Sequence, residues 1–401
     1  MMHILYLHQY FVGPDGSGGT RSLEMARRWV QSGHRVTLIT SSALFSAGPT
    51  DRARRTCVQG IDVVVLPVPY AAEMSHARRI QSFLSFAVQA TRWAVRTSVD
   101  VVFASSTPLT VAVPGLLGAA AQRVPMVFEV RDAWPDLPIA MGALKNPVAI
   151  WAARILETAA CRGASQVIAL SPGMAQSVAR CGVARGRIHV VPNACDTAAF
   201  EVDHKEARAF VRRSIPGDGP LVVYAGSFGA INDAAWLVDV AAASSGVRFA
   251  FVGQGPGREG LGGRARAHGL LDHRVFVRPP ISKREVPLLL RGAAMATSLF
   301  LPIPAMEDNS ANKFFDALAA GTPIAINYGG WQAELLRHSG AGIVMPHARV
   351  EVAALQLSRA VHDDAWRGRA GRAARHLARA RFDRDRLAAQ ALSVVQRAAA
   401  G

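Results

Sequence analysis

Twice in this chain a short apolar run ends in a cluster of glycines and is followed at once by a helix-forming stretch. The first is Met1 to Gln9, with Gly13, Gly16, Gly18 and Gly19 behind it; the second is Leu221 to Ala225, with Gly226-Ser227-Phe228-Gly229. An apolar run too short for a helix, punctuated by glycine and answered by an amphipathic stretch, opens a strand–helix–strand unit, and repeating that unit builds a parallel sheet covered by helices. After the first loop, Thr20 and Arg21 lead a helix through Trp29, Gly33 stops it, and residues 34–40 form a second strand. Further strands fall at 61–66, 99–104, 125–130, 166–171 and 188–191, then, past the second loop, at 247–252, 275–277, 295–301 and 322–327. The pattern predicts an α/β chain of two Rossmann-like, doubly wound halves in series. A length of 401 residues suits two domains. We place them at 1–197 and 198–378, followed by a C-terminal helix at 379–401, with a ligand expected in a cleft between the halves.

The chemistry concentrates in residues 306–330. Asp308, Asn309 and Ser310 read as a helix-start cluster, 311–320 as the helix, and Gly321 with Pro323 as its stop. Lys313 then lies in the first turn and Asp316 three residues on. A helix N-terminus presents free N–H groups and a positive partial charge, so it holds phosphate, and Lys313 adds a full charge. Two uses of the stretch stand open at this level: an anion-binding helix mouth, and a capped amphipathic helix with a solvated lysine.

Charged residues at the carboxyl end of a strand, Glu129, Arg131 and Asp132, lie where open α/β sheets bind ligands, although Arg131 and Asp132 could equally pair with each other. Gly255, Gly257 and Gly260 match G-x-G-x-x-G, with Asp272 beyond, but the strand before them is not the first of its domain and Pro256 intrudes, so the match is discounted. Asp383 and Asp385 form a D-x-D at a helix start, where capping is the ordinary use; no metal is assigned.

Lysine and arginine number 45 against 29 acids, a net charge of +16. Such an excess attracts phosphorylated substrates, anionic lipid or nucleic acid, and no nucleic-acid signature accompanies it. The four cysteines have no metal spacing and read as reduced thiols of a cytoplasmic protein. No secretion signal opens the sequence, and the longest apolar run, 109–121, is too short to span a bilayer. Residues 76–95 form a basic helix: Ile80, Phe83, Leu84, Ala87, Val88, Thr91 and Val95 follow helical spacing, with Arg78, Arg79 and Arg92 off the stripe. That helix suits either the surface of an anionic membrane or the packing of the first domain.

Gly18-Gly19, Gly33-His34-Arg35-Val36, Ser171-Pro172-Gly173-Met174, Pro192-Asn193-Ala194-Cys195-Asp196, Gly226-Ser227-Phe228-Gly229 and the paired acids Asp308 and Asp316 ahead of Ala-x-Ala-x-Gly occur in the right order along nearly the whole chain. In these motifs the chain resembles the retaining glycosyltransferases of family 4, which have the GT-B fold, two Rossmann-like domains facing across a cleft. With Met74-Ser75 and residues 131–135 it looks most like bacterial transferases of deoxy- and amino-sugars that build surface polysaccharide on lipid-linked acceptors. The resemblance implies a metal-independent, hexosyltransferase-type enzyme without a cofactor. It would use a nucleotide-diphosphate sugar, UDP-linked, and a lipid-linked or saccharide acceptor, at the cytoplasmic face of the membrane. It assigns ribose to Asp316, donor-sugar hydroxyls to Asp308, and sugar and phosphate to Asn309, Ser310 and Asn312. Gly18 and Gly19 would face the diphosphate, as would Gly226 and Ser227 from the second loop, Asp132 would lie near the reacting sugar, and the closing helix at 379–401 would return to the first domain. Both acids are Asp where the family usually has Glu. The arginine and lysine common after the second glycine loop are replaced by Ser227 and the Asn232-Asp233 region, which shifts diphosphate neutralisation to Lys313 and Arg21. Two rivals stand beside this reading: a nucleotide-sugar epimerase on the same plan, and a non-enzymatic binder of nucleic acid or anionic lipid.

Overall fold

The computed structural model describes residues 1–14, 16, 19–45, 51–71 and 74–401. Two compact units result. The first comprises Met1–Pro192, Asp308–Ser310 and Asp385–Gly401; the second comprises Asn193–Glu307 and Ala311–Arg384.

In the first unit the chain runs β1 (His3–Leu7), α1 (Arg21–Gln31), β2 (Arg35–Ser41), β3 (Arg54–Val58), β4 (Ile61–Leu66), α2 (His76–Ala94) and β5 (Val101–Ser105). It continues α3 (Ala112–Gln122), β6 (Met126–Val130), α4 (Asp136–Ala140), α5 (Pro147–Gly163), β7 (Gln166–Ala169), α6 (Pro172–Arg180) and β8 (Ile188–Val190). The eight strands stand in the order β3-β4-β2-β1-β5-β6-β7-β8. All neighbours pair in parallel except β3, which pairs antiparallel with β4 at one edge. The central strands are buried on both sides, which is why they read as unbroken apolar runs and not as alternating ones.

The second unit holds α7 (His204–Ser214), β9 (Leu221–Ala225), α8 (Ala234–Ala243), β10 (Arg248–Val252), α9 (Arg258–Ala267), β11 (Val275–Arg278), α10 (Val286–Gly292) and β12 (Met295–Ser298). Then come α11 (Asn312–Ala320), β13 (Ile324–Ile326), α12 (Gly330–Ser339), β14 (Gly342–Val344), α13 (Val350–His362) and α14 (Asp364–Leu377). Its six strands stand β11-β10-β9-β12-β13-β14, all parallel. Numbered within the sheet this is the doubly wound order 3-2-1-4-5-6, whose direction reverses between β9 and β12. The first sheet reverses likewise between β1 and β5. Ligands of open parallel sheets bind outside the carboxyl ends of the strands at such reversals.

The last helix, α15 (Arg384–Ala400), is counted with the first unit from Asp385 onward. The Trp29 indole donates to the Ala388 carbonyl at 3.1 Å, Arg28 pairs with Asp385 at 2.5 Å, and Leu387, Ala388, Ala391, Leu392 and Val395 are buried.

Two expectations change. Asp308–Ser310 do not start α11: residues 304–308 form a 3-10 turn, and Ala311 stands at the N-cap with no side-chain cap bond. In α2 the sheet-facing row is Ser82, Phe86, Ala90 and Ala94, whereas Ile80, Leu84 and Val88 of the expected stripe are exposed. Small residues on α3 choose that row. A Cβ on Gly118 would lie 2.7 Å from the Ala94 Cβ, so glycine there allows the two helices to approach closely.

Candidate active site

At the reversal of the first sheet, β1 ends in His8 and β5 in Ser105 and Ser106, with β6 alongside carrying Glu129 and Arg131. Glu129 is buried. Burial alone would raise its carboxyl, but the charges of Arg21 and Arg131, with bonds from Ser105 and Arg21, outweigh that and hold it below its ordinary range. Arg21 donates from Nε and Nη2 to Glu129 Oε1 at 2.9 and 2.8 Å, and to the carbonyls of Pro192 at 2.6 Å and Val191 at 3.0 Å. Four of its five N–H donors are thereby used inside the protein. This corrects the expectation that Arg21 serves a diphosphate: it joins α1 to β6 and to the chain leaving β8.

Arg131 and Asp132 do not pair with each other. Arg131 Nη1 donates to His8 Nε2 at 2.8 Å, while Asp132 accepts the Thr107 hydroxyl at 2.6 Å. Because the guanidinium is always a donor, His8 Nε2 accepts and its Nδ1–H faces the Ser22 hydroxyl, 2.9 Å away. Burial, followed by the Arg131 charge, keeps His8 neutral. His8 was not singled out from sequence; its place directly after the first strand was the available signal. Of the loop glycines, Gly19 precedes α1 and Gly18 lies outside the described residues. Thr20, the N-cap of α1, makes no side-chain cap bond.

Asp308–Ser310 are counted with the first unit. A Cβ on Gly173 would overlap the Asp308 carboxylate, so a larger residue there would have to displace it. Burial raises the Asp308 carboxyl and the Arg180 charge partly offsets it. Asn309 and Ser310 are buried beside it.

At the reversal of the second sheet, β9 ends in Gly226 and Ser227 and β12 leads to Phe300. Lys313, in the first turn of α11, reaches this point. Its Nζ donates to Asn232 Oδ1 at 2.7 Å and stands over the rings of Tyr224 at 5.0 Å and Phe300 at 5.7 Å. Burial lowers the ammonium to about 8. Gly226 makes room for it: a Cβ there would lie 2.4 Å from Lys313 Cε, and φ is 151°. Gly226 packs beneath the lysine stem, Ser227 is exposed beside it, and Asn312 is exposed at the helix start. Since Ala311 offers no capping side chain, the first-turn N–H groups of α11 suit an external anion. One helical turn on, Asp316 is pushed up to about 6 by burial, with Arg384 lowering it and Asp196 raising it. The Asn232-Asp233 region is thus divided in use, with Asn232 on Lys313 and Asp233 on His347 Nε2 at 2.6 Å.

The glycines at 255 and 257 serve packing. A Cβ on either would fall about 2.9 Å from the Phe228 backbone, and Asp272 pairs with Arg278. Asp383 accepts from the Thr197 hydroxyl, and Asp385 from Arg28.

Residues 16–194 match the family model described as "Glycosyl transferase 4-like domain". No curated protein matches the sequence. Among solved structures the chain is similar to sucrose-phosphate synthase (tll1590) from Thermosynechococcus elongatus, with TM-score 0.79, 17% identity, and 99% of each chain covered. It is similar to Anabaena Alr3699/HepE in complex with UDP-glucose, with TM-score 0.74, 17% identity, and 99% of this chain and 100% of that one covered. A third is WaaG, a glycosyltransferase involved in lipopolysaccharide biosynthesis, with TM-score 0.71, 16% identity, and 98% and 99% covered. The architecture is that of the GT-B glycosyltransferases.

Proposed function

We propose that the chain is a retaining glycosyltransferase that moves a sugar, a deoxy- or N-acetylamino sugar by its motifs, from a UDP-linked donor to a lipid-linked or saccharide acceptor of surface-polysaccharide synthesis. The supporting observation is Lys313: a half-buried ammonium, fixed by Asn232 and two aromatic rings, at the strand-order reversal of the second sheet. Breaking the bond between sugar and diphosphate builds positive charge on the ring and negative charge on the departing phosphate. A preorganised cation and the N-terminus of α11 stabilise the second of these without reorganising. No metal is assigned a role.

In this reading the second unit binds the donor nucleotide. Asp316 accepts from the ribose hydroxyls, Gly226, Ser227 and Asn312 border the diphosphate, and Asp308, Asn309 and Ser310, counted with the first unit, take donor-sugar hydroxyls. The first unit binds the acceptor, Gly19 approaches the diphosphate, and Asp132, fixed by Thr107, lies near the reacting sugar. Thr107 holds φ at 112°, rare for a β-branched residue, as backbones at functional sites often are. The enzyme works at the cytoplasmic face of the membrane through the helix at 76–95. Among the described residues no helix is long and apolar enough to cross a bilayer.

The test is thermal-shift screening against nucleotide sugars, with and without chelator, followed by kinetics of Lys313→Ala. We expect a UDP-sugar to stabilise the protein irrespective of chelator, and Lys313→Ala to lose turnover about 100-fold with nucleotide affinity changed far less. Equal losses in turnover and affinity would reduce Lys313 to a ground-state contact. Conversion of donor alone into an isomer would replace transfer with epimerisation.

A further inference from the structure

Two of the four cysteines meet in the first unit, at the other end of α6 from Gly173. Cys161 lies in the last turn of α5 and Cys181 is the C-cap of α6. The Cys161 thiol donates to the Cys181 sulfur, and Thr158, three residues before Cys161 and on the same face of α5, bonds that sulfur too. Both cysteines are free thiols. Cys161 is 1% exposed within the core of the first sheet, and Cys181, half-buried, packs against that core. One sulfur is therefore open to a small solute and the other stands directly behind it.

The surroundings of the pair are polar where those of an inert core thiol are not. A helix C-terminus disfavours an anion. Here Arg162 Nε donates to the Cys181 carbonyl at 2.6 Å, and the charges of Arg180 and Arg162 act on the sulfur. The bond from Cys161 first, then that from Thr158 and the two charges, outweigh burial and hold the Cys181 thiol below its ordinary range. Cys161, the donor of that bond and buried, is held above it. Glu157, one turn before Cys161, is pushed up to about 7 by burial, then by Cys181 and Asp136, with Arg154 and Arg180 opposing. A carboxyl that keeps its proton near neutral pH thus stands beside a sulfur inclined to lose one. Among the described residues no group of His, Cys, Asp and Glu is arranged to hold a metal ion.

We propose that Cys181 and Cys161 form a peroxide-reactive dithiol that closes to a reversible disulfide, with Cys181 as the attacking sulfur and Cys161 as the resolving one. The Cys181 thiolate attacks one peroxide oxygen and the O–O bond breaks. Cys181 becomes a sulfenic acid, and the departing hydroxide takes the Glu157 proton and leaves as water. The Cys161 sulfur then displaces the sulfenic hydroxyl, which leaves as a second water with the Cys161 proton. Glu157 regains from solvent the proton that Cys181 released on ionising. In sum two thiols lose two electrons to become one disulfide, and one peroxide becomes two waters. Closing the sulfurs to about 2.05 Å asks for movement at Cys181, which stands at a helix end before Gly182, at φ 86°. In a reducing compartment such a bond is transient, as redox-sensing disulfides are.

The inference goes beyond the proposed transfer reaction, and its readout needs no nucleotide sugar. The reduced full chain is treated with hydrogen peroxide, unfolded, alkylated and mapped by peptide mass spectrometry. A peptide pair linked through Cys161 and Cys181 is expected, reversed by dithiothreitol, with Cys57 and Cys195 still reduced. Cys181 should react at least tenfold faster than Cys57, the exposed thiol of β3. In Cys161→Ser, dimedone should trap Cys181 as its sulfenic acid; in Cys181→Ser, Cys161 should stay reduced. Glu157→Gln should slow the first step severalfold at an unchanged melting temperature. Oxidation of Cys181 no faster than that of Cys57 overturns the site. A sulfinic Cys181 beside a reduced Cys161 in the wild-type chain overturns the pairing, and that measurement requires no variant to fold. A Glu157→Gln chain that reacts at the wild-type rate overturns the acid's part in the step.

Discussion

Lys313 and Asp316 sit three residues apart on α11 with titrations displaced toward each other, to about 8 and about 6. Both shifts come first from burial, which disfavours charge of either sign. Catalysis that needs the ammonium should decline as pH rises through 8. Ribose binding that needs the carboxylate should weaken as pH falls through 6. A donor-affinity profile with its acid limb near 6, absent in Asp316→Asn, checks the second. Stability without ligand runs the opposite way. The folded chain keeps a proton on Asp316 that the unfolded chain releases above about 4, so this contribution is whole below that pH and lost as pH rises through 6. Chemical denaturation at pH 4.5 and 7 in wild type and Asp316→Asn measures it. Gly226→Ala places a methyl against Lys313 Cε on a backbone that side chains avoid. We expect turnover to fall more than tenfold with circular dichroism unchanged; a fully active variant would detach Lys313 from the chemistry.

The connection between α1 and β6 shows what elements conceal from sequence. Arg21 and Glu129 are 108 residues apart, and nothing local announces that they meet. The first helix's arginine therefore read as a phosphate ligand. Removing it strands a buried carboxylate, so Arg21→Met should cost about 3–5 kcal/mol by urea denaturation, while R21M/E129L should recover most of that. Where one face of an element decides, the sequence was informative: β9 and α8 fall at 221–225 and 234–243 as their runs and breakers predict. α2 is apolar on more than one face, so periodicity could not tell which row meets the sheet; Gly118 of its neighbour decided it. The antiparallel β3, with Arg54 and Arg55 on an exposed edge, carried no apolar signal at all. Lys313 was legible through its helix position. Its partner Asn232 was not, because 81 residues separate them.

At the scale of the molecule, the two doubly wound sheets follow from repeated apolar runs and glycine loops. What periodicity alone could not supply is which unit each peripheral segment joins. Residues 385–401 seal the first unit through Trp29 and a buried apolar row. Ending the chain after Asp383 should therefore lower the melting temperature of the first unit by several degrees, measured as earlier loss of protection in its β1 and β2 amides, while β9 to β13 keep theirs. The same arrangement sets an order in time. During synthesis the first sheet is complete once β8 has emerged, yet the Trp29 indole has no Ala388 carbonyl to bond until the whole second unit has followed it out. The N-terminal half is made first and finished last, so the closing helix governs when the newborn chain becomes native.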